Sequence, residues 1–274
     1  MKLHIVDVFA EKQLAGNQLA VIECGTSLTD KQMQDIAREM NFSETTFVLD
    51  ASSTRAKVRI FTPEWELPFA GHPTLGTAWV LGRENARYEL DLPAGIVPVA
   101  FEDDICWMTP PPVDMGASFD IGDAAALIGL SADDLDIQYP VQLAEVGPKF
   151  LLVALKNRDA LARVQIDVPL FLEHQTNGVP MQCIFLFTED SHAADAQYAA
   201  RMFYHSGSMR EDPATGSANT AFAAYLREHK GGGFEAIVDQ GVEMKRPSRL
   251  YLRVGDQLQV GGKVQPVVEG EINL

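Results

Sequence analysis

Residues 66–81 read ELPFAGHPTLGTAWVL, and residues 211–226 read EDPATGSANTAFAAYL. The second stretch repeats the first at an offset of 145 residues in a chain of 274. Glu66/Glu211, Pro68/Pro213, Gly71/Gly216, Ala78/Ala223 and Leu81/Leu226 are identical, five of sixteen positions aligned without a gap. A repeat spaced by half the chain predicts two similar lobes, each contributing the same turn and helix start. The copies differ in one telling place: His72 stands where the second copy has Ser217. Lobes that faced one another would bring this dissimilar pair to opposite sides of one cleft and make a symmetric scaffold chemically asymmetric.

The similarity runs beyond the motif. Residues 5–8 and 16–22 parallel 141–143 and 147–153, and 57–61 before the first motif resembles 199–203 before the second. Short runs rich in Val, Ile and Phe, bounded by Gly, Pro, Asn or Asp, predict strands. In the first half these are 2–8, 18–23, 45–49, 56–61, 87–91, 97–101 and 105–109. In the second they are 141–145, 150–155, 182–188, 198–204, 235–238, 250–254, 257–260 and 265–268. Helices are fewer: 29–40, capped by Thr29 with Met33, Ile36, Ala37 and Met40 on one face, then 72–82, 123–128 and 217–228. The helices that follow the two motifs lack a broad polar face, and a helix apolar nearly all round is a buried one. Each half therefore reads as strands, a turn and one central helix surrounded by sheet. The proline-dense stretch 109–122 reads as a linker, giving lobes at 1–116 and 117–264, with the final strand (265–274) free to join the first.

Composition sets outer limits. A chain of this length suits two domains of roughly 130 residues each. A net charge of −16 repels phosphate backbones, so nucleic acid is not an expected partner, and an anionic substrate needs a strong local attraction. No apolar run reaches the roughly 18 residues of a membrane span, and MKLHIVDVF opens as a strand, so a soluble cytoplasmic protein is expected. Cys24, Cys106 and Cys183 are odd in number and widely spaced, which favours free, buried thiols.

The chemistry concentrates at the repeated turn. In Ala70-Gly71-His72 and Thr215-Gly216-Ser217 a glycine immediately precedes a helix. Unpaired amides and the helix dipole at such a start attract anions, so two of them can hold a carboxylate without an arginine. A single such glycine could equally just end a strand; two related copies favour a site. At a helix start before Pro73, His72 is expected to be a neutral imidazole outside the core, the positive helix end disfavouring its protonation. Ser217 lacks a hydrolase context, there being no G-x-S-x-G elbow, and its hydroxyl suits donation to substrate. Asp212 in EDPATGS could orient a partner or accept a proton, or could be an ordinary acidic turn. Glu44 enters a strand beside Phe42, Phe47 and Val48; pointing inward it would be desolvated and basic enough for a general base, pointing outward it would be a surface acid. Alternation puts it on the face of Phe42 and Thr46. The remaining histidines have no metal-ligand spacing, and no G-x-G-x-x-G or Walker loop is present, so neither a metal nor a nucleotide cofactor is indicated.

With Gly16-Asn17, Ser43-Glu44-Thr45, Phe61-Thr62-Pro63 and the two repeated motifs, the chain resembles the PhzF-like isomerases of phenazine biosynthesis. That family is similar to diaminopimelate epimerase in fold. The resemblance implies an α+β protein of two pseudo-symmetric lobes, each a curved, mainly antiparallel sheet wrapped round a central helix. It further implies a cofactor-independent homodimer in which Glu44 is the proton-transfer base and His72, Asp212 and Ser217 contact or orient the substrate. The expected site is then Glu44, Asp212 and His72 for catalysis, with Asn17, Gly71, His72, Gly216 and Ser217 binding substrate. Gln18 departs from the proline that commonly follows the Gly-Asn pair, which affects turn stiffness more than chemistry. Epimerase relatives carry a cysteine after each glycine; His72 and Ser217 stand there instead, which excludes two-thiol racemisation. The expected activity is an isomerase moving a proton on a small carboxylate-bearing metabolite, phenazine synthesis itself being less determined because family fixes chemistry better than substrate. The alternatives are a two-base epimerase using Glu44 and Asp212, and a non-catalytic binding protein that retained the fold.

Overall fold

The computed structural model describes residues 1–273; Leu274, the end of the expected final strand, lies outside the described residues. The chain divides into two units, one of residues 1–111, 246–249 and 259–273, the other of 112–245 and 250–258.

In the first unit β1 (Lys2–Val8) pairs antiparallel with β2 (Asn17–Glu23) on one side and with the strand Val264–Glu271 on the other. Helix α1 (Asp30–Met40) carries the chain to β3 (Glu44–Ala51), which runs parallel to β2. Thr29 and Gln32 form a reciprocal capping box at the start of α1, and Asn41, at φ 53°, ends it in the left-handed region. Its buried Met33, Ile36 and Ala37 pack with Ile22, Phe47 and Phe61. Strand β4 (Arg55–Phe61) pairs antiparallel with β3, and β5 (Glu66–Leu67) leads into α2 (Gly71–Gly82). The antiparallel run β6 (Arg87–Leu92), β7 (Gly95–Glu102) and β8 (Ile105–Met108) follows, β6 parallel to β4, and the strand Gln259–Gly262 closes against β8.

Helix α2 touches β1, β2, β3, β6, β7 and β8, so the sheet curves round it, and this is why its sequence is apolar on every side. Gly76 permits the close approach: a Cβ there would stand 2.6 Å from Leu19 Cδ2 and 2.7 Å from Val8 Cγ2. Inside this apolar contact Thr46 and Thr77 join β3 to α2 through hydroxyls 2.8 Å apart. Phe47, one residue on, points the other way into the α1 core.

The second unit repeats the plan. Strand β9 (Asp114–Ser118) pairs with β10 (Gln142–Glu145), which pairs antiparallel with β11 (Lys149–Ala154). Between β9 and β10 lies α3 (Ile121–Leu127). Helices α4 (Arg158–Arg163) and α5 (Val168–Thr176) lead to β12 (Cys183–Thr188), parallel to β11. Next come β13 (Tyr198–Ser206), antiparallel to β12, and β14 (Ser208–Asp212), which pairs back on β13 and delivers the chain to α6 (Gly216–Lys230). Strand β15 (Phe234–Gln240) returns parallel to β13, and β16 (Ser248–Val254) follows. The unbroken run CIFLFT of β12 reflects two covered faces. Ile184 and Leu186 join the core under α3, α4 and α5, while Phe185 and Phe187 meet Phe222 of α6 at ring distances of 5.3 and 4.5 Å.

The repeat also explains Glu66 and Glu211, its first identical pair. Glu66 receives two hydrogen bonds from Arg59 (2.7 and 2.6 Å), and Glu211 receives the same two from Arg201 (2.8 and 2.9 Å). Each guanidinium also covers a phenylalanine two residues on, Arg59 over Phe61 and Arg201 over Phe203. The identity at these positions is therefore structural, a bidentate clasp that ties the last sheet strand to the turn.

Several elements were not expected. The stretch 109–122 holds β9 and the first residues of α3 rather than a bare linker. The expected boundaries also omit β5, β14, α4 and α5. The strands among them, DMGAS, EL and SMRED, are short and carry no run of Val, Ile or Phe, so local patterning gives no signal for them; β5 and β14 fold straight back on β4 and β13, and β9 pairs with β10 beyond α3.

Candidate active site

In the first unit the turn Pro68–Ala70 brings the chain into α2 with Ala70 extended, at φ −150° and ψ 144°, and no side chain caps the helix. No acid stands in its first turn, so its leading N–H groups keep their attraction for an anion. Thr74 folds back on the turn, donating to the Ala70 carbonyl at 2.7 Å.

His72 points into the unit rather than out of it. Its side chain is buried, with Nδ1 3.4 Å from Glu44 Oε2 and 3.4 Å from Asn17 Nδ2, while Nε2 has no hydrogen-bond partner among the described residues. Burial pushes its pKa down to about 3, against a weaker upward pull from a backbone hydrogen bond with Gln18. The neutral state agrees with the expectation, but His72 lies within the core, and burial rather than the helix end is the leading cause. Its contact with Glu44 is accordingly polar and not an ion pair.

Glu44 opens β3 on the face that Thr46 presents to α2, and its side chain is largely buried. This settles the direction that alternation left open: the carboxylate lies beside the helix start. Asn17, also buried, opens β2 after Gly16, whose φ of +67° and lack of a Cβ are both required because a Cβ would collide with the Val8 carbonyl and Ala10. The loop is anchored by two residues the sequence reading missed. Asp7 accepts from Leu14 N (2.7 Å) and Arg246 Nη2 (2.6 Å), and Arg246 also reaches the Ala15 and Gly16 carbonyls at 2.6 and 3.0 Å. A buried acid inside the otherwise apolar strand IVDVF was the available signal for Asp7; nothing local marked Arg246.

The second unit carries the other expected residues. Gly216 and Ser217 begin α6, again without a side-chain cap or an acid in the first turn, and both are buried. Asp212, buried at the end of β14, accepts a 2.5 Å hydrogen bond from Thr215 Oγ1. Asn219 bonds back to the Thr215 carbonyl at 3.0 Å, as Thr74 does at the matching position of the first motif. Gln240, fully buried on β15, reaches Asp212 O, Thr215 Oγ1 and Asn219 Nδ2, and was not anticipated from sequence. Cys183 is held protonated by burial and by the nearby Asp212 charge, its pKa raised to about 12, and all three cysteines are free and buried. Among the described residues no group of three or more His, Cys, Asp or Glu side chains is placed to hold a metal ion, and no helix is long and apolar enough to cross a membrane.

The profile of the phenazine biosynthesis-like proteins, PhzC-PhzF, matches residues 6–270. The chain belongs to this family. An uncharacterized isomerase of Pasteurella multocida is 37% identical over 98% of the chain and 93% of its own length. The trans-2,3-dihydro-3-hydroxyanthranilate isomerase of Pseudomonas aeruginosa is 35% identical over 91% of the chain and 88% of its own length. Among solved structures, the PhzF-family protein of Bacillus anthracis superposes with a TM-score of 0.86 at 27% identity, covering 100% of this chain and 99% of that one. The chain is thus an isomerase of the PhzC-PhzF family, with the sheet-dominated α+β architecture of its relatives.

Proposed function

We propose that this PhzF-family isomerase moves a proton between carbons of a small carboxylate-bearing substrate, with Glu44 as the proton carrier. The observation that carries the reading is the placement of the Glu44 carboxylate 3.4 Å from a buried, neutral imidazole whose other nitrogen has no hydrogen-bond partner among the described residues. A carboxylate so placed takes a proton from an acidified C–H and returns it to another carbon of the same conjugated system. The substrate is rearranged with no net gain or loss of atoms or electrons, so no cofactor is consumed. His72 and Asn17 orient the carboxylate and hydrogen-bond the substrate, and the uncapped amides at Gly71 attract its negative charge. Gly216, Ser217 and Asp212 are proposed to act on the same substrate, a reading supported by the sequence repeat and by family membership.

The relative from Pseudomonas aeruginosa makes trans-2,3-dihydro-3-hydroxyanthranilate the first substrate to try. A cytoplasmic homodimer is the proposed working form, supported by the family resemblance and testable by analytical ultracentrifugation. The decisive assay is turnover in deuterated water with detection of the label in product. Glu44→Gln is expected to slow both turnover and exchange at least about 100-fold. Undiminished exchange in that variant would remove Glu44 from the role.

A further inference from the structure

Gln240 lies at the end of β15 with no solvent exposure, and two main-chain groups of fixed polarity determine which way its amide points. Its Nε2 donates to the Asp212 carbonyl at 2.9 Å, and its Oε1 accepts from the Thr215 N–H at 3.4 Å. Asn219 Nδ2 donates to the same Oε1 at 3.0 Å. With the amide so fixed, the second Nε2 hydrogen goes to Thr215 Oγ1 at 3.2 Å. The threonine oxygen has then received a hydrogen bond, and its own proton is directed to Asp212 Oδ2, 2.5 Å away. The chain of donors runs one way, from Gln240 through Thr215 into the carboxyl, and it favours the ionised form of Asp212.

We propose that Gln240 and Thr215 are positioning residues that hold Asp212 as a fixed hydrogen-bond acceptor, so that it orients the substrate and does not carry the transferred proton. The inference rests on the proposed function for the claim that Asp212 meets substrate, and it divides the labour between the two acids: Glu44 moves protons and Asp212 does not. Chargeable groups around Asp212 include Cys183 on β12, Arg210 two residues earlier on the same strand face, and the Arg201–Glu211 clasp on the opposite face. Gln240 and Thr215, which bond to its main-chain carbonyl and its carboxylate, carry no charge. What these two residues exert on Asp212 is accordingly hydrogen-bond direction and not charge.

The test uses full-length protein labelled with carboxyl-13C aspartate, the Asp212 resonance being assigned by its loss in Asp212→Asn. Thr215→Val removes the donor at nearly constant volume and is expected to raise the Asp212 titration midpoint by on the order of one pH unit. Thr215→Ser keeps the hydroxyl and should leave the midpoint where the wild type has it. Gln240→Met frees the Thr215 hydroxyl to rotate and should shift the midpoint in the same direction as Thr215→Val, giving a second reading should the valine variant fold poorly. In the deuterium-exchange assay with trans-2,3-dihydro-3-hydroxyanthranilate, the acid limb of the rate profile should move up in parallel while Thr215→Ser restores it. An unmoved or lowered midpoint in Thr215→Val and Gln240→Met would overturn the proposal. The titration needs no substrate, so exchange surviving in Glu44→Gln would refute the proposed function while leaving this result standing on its own.

Discussion

Replacing His72 by asparagine removes a group that the fold keeps neutral, and the consequence for acid stability can be worked out. In the unfolded chain an imidazole titrates near 6.5, whereas burial in the native state pushes His72 to about 3. Between these values the unfolded chain binds a proton that the native protein refuses, so acid favours unfolding and stability falls as pH drops through the window. At about pH 5 the unfolded group lies roughly 1.5 units below its midpoint, which corresponds to about 2 kcal/mol of lost stability relative to neutral pH. The figure is insensitive to the native value as long as that value stays below about 4, because the native group is then almost wholly unprotonated at pH 5. Asparagine does not titrate, so the variant should lack this component while sharing every other one. All three tryptophans, Trp65, Trp79 and Trp107, belong to the first unit, so fluorescence-detected urea unfolding reports the unit that holds His72. The expected result is a wild type that loses about 2 kcal/mol more than His72→Asn between pH 7 and pH 5. Parallel losses in the two proteins would mean that His72 titrates in the native protein as it does in the unfolded chain, and a smaller loss in the wild type would mean that Glu44 holds a proton on it; either result would overturn the neutral imidazole.

Other outcomes follow from packing and pairing. Arg246→Met strands the buried Asp7 charge and should destabilise the first unit by about 3–5 kcal/mol, and in whatever fraction folds the loosened Asn17 loop should raise KM more than it lowers kcat. The two repeated clasps differ in depth, with side chains 22% and 32% exposed for Arg59 and Glu66 but 10% and 15% for Arg201 and Glu211. Glu211→Gln should therefore cost about 3 kcal/mol or more in circular-dichroism unfolding and Glu66→Gln only about 1, and equal costs would show that burial is not the deciding variable. Gly76→Ala gains up to about 1 kcal/mol of helix propensity but drives a methyl against Leu19 and Val8 at 2.6 and 2.7 Å, so a net loss of about 1 kcal/mol is expected. A stabilised Gly76→Ala would mean that the sheet can give way round α2.

The repeat 66–81/211–226, read with the apolar runs and the all-round apolar helices, was sufficient to predict two sheet-wrapped helices, because burial on every side leaves its mark on every residue of a helix. The glycine-led starts of α2 and α6 were legible for a related reason: a helix without a cap and without a first-turn acid is visible in the letters themselves. Glu44 was named by its motif, yet its direction was open, since alternation gives a face without saying what that face meets. The Thr46–Thr77 contact answers that question, and it joins residues 31 apart in sequence.

What remained hidden has one physical origin. Arg246 supports a loop some 230 residues earlier, and Gln240 directs a threonine 25 residues earlier, through hydrogen bonds that depend on the approach of strands and not on any local pattern. The charge state of His72 belongs with them: the sequence supplied an imidazole at a helix start, but desolvation by the surrounding sheet is what holds it neutral. Sequence alone determined the architecture and the identity of the chemical groups, because periodicity and motif are properties of neighbouring residues. Tertiary structure decided their orientation, partners and protonation, because dielectric and hydrogen-bond direction are set by atoms distant along the chain.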